Sequence, residues 1–105
     1  MQVLFDCRDR EAARLQDFAV RRLSFSIRRL AWLVPRARVR LSDVDGPRDG
    51  VTKRCQVELQ THGVGTVVIT ALARDWRSAL DTAISRASRL LARSLRRDRQ
   101  VNRHA

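Results

Sequence analysis

Tyrosine is absent from this chain, lysine occurs once, at Lys53, and the aromatic set is three phenylalanines and two tryptophans. So few aromatics leave little with which to build a surface that stacks successive unpaired bases. Cysteine is limited to Cys7 and Cys55. Neither has a companion at metal-ligand spacing, so the sequence offers no zinc site, and both thiols are expected to be free and partly buried in a reducing compartment. No run approaches the ~18 apolar residues of a membrane span. The start, Met1-Gln2-Val3-Leu4-Phe5-Asp6, lacks a cleavable signal pattern, which leads to the expectation of a cytoplasmic protein. Acidic residues are also scarce: 11 stand against 22 basic ones, for a formal net charge of +11.

The groups an enzyme needs are equally thin. His62 sits among turn-forming glycines and His104 near the end of the chain, far apart in sequence. Ser24, Ser26 and Ser78 fall in helical patterns without the context of a nucleophile elbow. Gly63-Val64-Gly65 reads as a turn and not as a phosphate-binding loop. Asp75 and Asp81, six positions apart, fall on different faces of a helix, and helix capping explains the first. The expectation is a protein without catalytic activity, cofactor or metal.

The 105 residues suffice for one domain, and 44% hydrophobic content supplies a core. Val3 and Phe5 share one face of a short strand over residues 2–6. From Asp9, a plausible N-cap, the period changes. Leu15, Phe18, Ala19, Leu23, Ile27 and Leu30 recur at steps of three and four, which predicts one long helix ending at or before Val34, ahead of Pro35. Arg14, Arg21, Arg28 and Arg29 lie off its apolar stripe. Ala37, Val39 and Leu41 then alternate with Arg36, Arg38 and Arg40, and Cys55, Val57 and Leu59 alternate with polar residues. Both segments read as strands with one buried face. Between them, residues 45–50 are dense in turn formers and are expected to form a mobile loop. A strand over Thr66 to Ala73 has apolar residues on both faces, which suits a covered position or a contact surface.

Asp75 caps the final helix, whose apolar side carries Trp76, Leu80, Ala83, Ile84, Ala87, Leu90, Leu91 and Leu95. Both Trp32 and Trp76 are expected in the core. The fold class is therefore α+β, a single β-α-β-β-β-α domain with two helices packed on one face of a four-stranded sheet. The domain is expected to occupy residues 1–99, with 100–105 a disordered basic tail.

Arg86, Arg89, Arg93 and Arg97 follow one another at steps of three, four and four, with Arg96 beside them, and so form a ridge off the leucine side. A solvated helix face normally mixes signs, whereas this ridge contains no acid. Like charges at that spacing repel, and a phosphate backbone is the simplest partner that offsets the repulsion. Arg38 and Arg40, with Arg54 on a neighbouring strand, are candidates to extend the basic surface, although charge on a strand also guards against edge pairing. With stacking residues scarce, recognition directed at the backbone of structured RNA fits best.

The order of elements, Leu15-Gln16-Asp17-Phe18 with Leu23, and above all Asp75-Trp76-Arg77-Ser78-Ala79-Leu80-Asp81 resemble the ribosome-hibernation factors of the HPF/RaiA family. Arg86, Arg89 and Arg93 follow at the family's spacing. The resemblance spans roughly residues 2–98. It implies a domain that binds the rRNA of the small ribosomal subunit in the channel for mRNA and tRNA and inhibits translation under stress. It also implies a short form, without the dimerisation extension of larger members. Carried over, Arg86, Arg89 and Arg93 contact rRNA, and Arg96 and Arg97 extend that surface. The chain departs from the family pattern at Asp6-Cys7-Arg8, where a glycine-containing turn is usual, at Arg77, often a tyrosine, and at the apolar Phe25 and Trp32.

Three other readings stand beside this one. A double-stranded-RNA module has a related layout, but its Gly-Pro-His-type loop and lysine cluster are missing. A regulatory domain that forms a homodimer through Leu4, Val68 and Leu72 on the open sheet face needs those residues to be contiguous. A basic helix lying on an anionic membrane conflicts with the use of its leucines in the core.

Overall fold

Alternation of period two builds the centre of the molecule. In the computed structural model, which describes residues 1–44 and 52–104, Ala37, Val39 and Leu41 are buried while Arg36, Arg38 and Arg40 are exposed. These residues belong to strand β2 (Arg36–Asp43), which pairs in parallel with β1 (Gln2–Cys7) and antiparallel with β3 (Lys53–Gln60). Strand β4 (Thr66–Ala73) completes the sheet against β3, so the order is β1-β2-β3-β4. The expected mobile loop over 45–50 lies outside the described residues.

A parallel pair needs a crossover connection. Here the crossover holds helix α1 (Arg10–Ala13), helix α2 (Gln16–Ser26) and a single 3-10 turn (Ala31–Leu33), where the sequence pattern predicted one continuous helix. Asp9 caps α1 as expected, its carboxylate accepting the Ala12 amide at 3.0 Å. The break between α1 and α2 consists of tightened bonds of 3-10 type: the Arg14 amide donates to the Glu11 carbonyl and the Leu15 amide to the Ala12 carbonyl. The turn between β3 and β4 needs its glycines, because Gly63 and Gly65 adopt φ of 93° and 86°. Thr61 ties that turn together by donating to the Gly65 carbonyl and accepting the Val64 amide.

Helix α3 (Trp76–His104) follows β4 and crosses the same face of the sheet as α2. Its backbone is helical through His104, past the expected domain boundary at 99. The core joins Leu23 and Ile27 of the crossover, Val39, Val57 and Leu59 of the sheet, and Leu80, Ile84 and Leu91 of α3. Trp76 is buried, as expected. Trp32 is not: 63% of it is exposed, because α2 ends before it and the 3-10 turn points its indole outward, with the ring N–H donating to the Arg29 carbonyl at 3.1 Å. Arg77, at the position where the resembling family often has tyrosine, lays its guanidinium over the Phe18 ring at 4.4 Å and ties the start of α3 to α2.

Candidate nucleic-acid interface

The position of α3 is fixed at its first turn. The Asp75 carboxylate accepts the Ser78 amide at 2.7 Å and the Ser78 hydroxyl at 2.9 Å. The backbone bond first, and the hydroxyl second, hold the Asp75 carboxyl below the usual carboxylate range. From this cap the buried stripe runs through Leu80, Ile84, Ala87 and Leu91 to Leu95. Packing that stripe against β3 and β4 forces the other side of the helix outward.

The five ridge residues Arg86, Arg89, Arg93, Arg96 and Arg97 are all exposed. Arg86, Arg89, Arg93 and Arg96 line one open groove together with Ala92 and Ile69 of β4. Among the described residues none of the five forms an ion pair. The nearest acid toward the helix start, Asp81, is engaged by Arg22 of α2 at 3.2 Å. The ridge therefore presents uncompensated positive charge in the arrangement that the spacing predicted.

Arg38 and Arg40 do not join it. They lie on the sheet face away from the helices, and both approach Asp6, at 3.8 and 3.7 Å. The neighbouring Arg54 donates to the Ser42 hydroxyl at 3.1 Å. The sheet separates these arginines from the ridge, so the basic surface is not a single patch that runs from strand to helix.

What extends the ridge comes instead from α2 and the turn after it. A second groove brings Arg22, Phe25 and Arg28 against Ser85, Ser88 and Arg89, and a third is lined by Arg28, Arg29, Ser88 and Ala92. Arg89 belongs to the first and second grooves, Arg28 and Ser88 to the second and third, and Ala92 to the first and third. The three thus merge into one basic trough along the helical layer, with no acidic side chain lining it among the described residues. The sequence marked Arg28 and Arg29 as lying off the apolar stripe. It gave no sign that the turn after α2 would set Arg28 in one groove with Arg89 and Arg29 in one with Ser88 and Ala92, because that depends on how the two helices pack.

The apolar residues of the open sheet face are not contiguous. Leu4 and Val68 sit at opposite edges, with Arg38 and Glu58 between them in one row across the strands. Val68 and Leu72 remain exposed, at 47% and 59%. Among the described residues no cluster of three or more histidine, cysteine or acidic side chains is placed to hold a metal, and no helix is long and apolar enough to cross a membrane. Both cysteines are free thiols.

Two antiparallel hairpin connections, one parallel crossover and a long C-terminal helix on the crossover's side of the sheet define an α+β domain with an open sheet face. That architecture is shared with the crystal structure of the Thermus thermophilus Protein Y N-terminal domain. The two align with a TM-score of 0.64 over 88% of this chain and 93% of that one, at 22% sequence identity. At that identity the likeness establishes the fold, which is the fold the sequence resemblance implied. No known protein family's sequence pattern matches the chain, and no curated protein sequence matches it.

Proposed function

We propose that this domain binds the rRNA of the small ribosomal subunit through the α3 ridge, occupies the channel that mRNA and tRNA would use, and so inhibits translation as a hibernation factor in the cytoplasm. The observation that carries the reading is the ridge itself: five exposed arginines on one helix, without an ion pair among the described residues. Guanidinium groups fixed on a capped, packed helix grip phosphate oxygens through paired hydrogen bonds and hold their charge at any working pH. Inhibition needs no catalytic group, since a domain wedged in the channel excludes other occupants by volume. The shared fold with Protein Y and the sequence resemblance to hibernation factors support the ribosome as the source of the RNA.

Co-sedimentation with ribosomes and separated subunits, over a salt series and against random-sequence RNA, tests this. Retention on small subunits despite competitor is the expected result. Five phosphate contacts give a slope of log affinity against log salt on the order of −4. Complete loss to the competitor overturns ribosome specificity and leaves a general binder of structured RNA.

A further inference from the structure

Phe25 is 61% exposed on a chain that has only three phenylalanines. It lies inside the basic trough, in the groove it shares with Arg22, Arg28 and Arg89. The Arg28 guanidinium stands over its ring at 4.3 Å, and one of its nitrogens donates to the Phe25 carbonyl at 3.0 Å. That hydrogen bond anchors the guanidinium against the ring. The two planar groups form a layered pair before any ligand arrives, which reduces the side-chain ordering that binding would otherwise require. Both residues are exposed and line the groove.

We propose that the cleft between α2 and α3 takes one unpaired nucleobase of single-stranded RNA, stacked on the Phe25–Arg28 pair, with Arg89 gripping the adjoining phosphate. The inference deepens the RNA-binding reading of α3 and rests on it. An unpaired base offers a flat π-face, and aromatic rings and guanidinium planes are the groups on which such bases stack. A duplex keeps its faces buried in its own stack, so this site selects a loop, bulge or end. The charge of the groove fits the same ligand, since Arg22, Arg28 and Arg89 line it with Phe25 and, among the described residues, no acid does. An acidic peptide would match that charge, but it would leave the layered plane without a use.

The test compares octaadenylate with an abasic oligomer of the same length and charge, by fluorescence anisotropy at fixed salt. Wild-type protein binds the base-bearing oligomer more tightly. Phe25→Leu keeps the apolar volume on an exposed site, so the fold survives, while affinity for octaadenylate falls about tenfold, within the worth of one base–aromatic stack. Affinity of that variant for the abasic oligomer stays unchanged, and Phe25→Trp retains the preference for bases. Equal wild-type affinity for the two oligomers overturns the proposal, as does an undiminished preference in Phe25→Leu. The broader ridge reading fails by a different result, unchanged affinity of Arg93→Glu for both oligomers, so the two failures are distinguishable.

Discussion

Arg22 of α2 and Asp81 of α3 lie 3.2 Å apart, and the pair marks where the free positive charge of the helical layer begins. Before it, the acid is matched; beyond it, the ridge arginines of α3 run without a partner among the described residues. Both side chains are nearly half exposed, at 46% and 44%, so the pair contributes little to stability. Asp81→Ala is expected to cost less than ~1 kcal/mol, read as a small drop in the urea midpoint. The same change frees Arg22 and removes an acid beside the trough, so RNA affinity should rise, most visibly at low salt. An unchanged or weaker affinity would show that Arg22 does not face the ligand.

Charge reversal in the middle of the ridge separates folding from binding. Arg89 and Arg93 are both exposed and unpaired among the described residues, so Arg89→Glu with Arg93→Glu leaves the core untouched. Circular dichroism and the urea midpoint should match wild type. Ribosome retention should be lost at moderate salt, and the log–log salt slope should fall by about two, roughly one for each phosphate contact removed. Wild-type retention by this double variant would refute the ridge as the binding surface.

The cap of α3 carries a pH dependence whose sign follows from its hydrogen bonds. Ser78 donates to the Asp75 carboxylate from its amide and its hydroxyl, which lowers the carboxyl pKa in the folded protein. A depressed folded value means that the cap stabilises the fold above the ordinary carboxylate pKa, near 3.8, and that this stabilisation fades as pH falls through the folded value. Asp75→Ala should therefore be less stable than wild type at neutral pH, and the gap between their thermal midpoints should close in acid. A gap that stays constant down to pH 2 would mean that the carboxylate form is not what caps the helix.

Much of this fold was legible because each element writes its period into the chain. The alternation of Ala37, Val39 and Leu41 with arginines gave β2 its two faces, and the stripe from Trp76 to Leu95 gave α3 its buried side. The break between α1 and α2 was not legible. Ala12, Ala19, Leu23 and Ile27 are all buried, and tightening the backbone at Arg14 and Leu15 leaves the apolar stripe intact, so a single helix and a broken one share one pattern. Trp32 was assigned to the core by residue type, whereas its exposure follows from α2 ending at Ser26, which no capping residue announces. The ridge needed only spacing along one helix and was therefore visible. The trough needed the α2–α3 packing and the separation of Arg38 and Arg40 onto the far side of the sheet, and neither is a property of any single segment.

Cys55 offers a test of the core that is independent of RNA. Its thiol is fully enclosed between the sheet and the helices, and burial pushes its pKa up to about 12. Cys7 is half-buried, and its pKa is raised first by desolvation and then by Asp9 and Asp6. In the native protein at pH 9, iodoacetamide should modify Cys7 slowly and Cys55 only after denaturation. The stability consequence has a definite sign. The unfolded chain releases the Cys55 proton near its ordinary value of 9.0, whereas the folded chain holds it until about 12. Full stability therefore persists below pH 9 and declines as pH rises toward 12, by about 1.4 kcal/mol per pH unit at most. Cys55→Val has no proton to release, so between pH 8 and pH 10 its urea midpoint should fall less than that of wild type. Parallel declines in the two proteins, or rapid native labelling of Cys55, would place the thiol in contact with water and contradict the packing of β3 beneath α3.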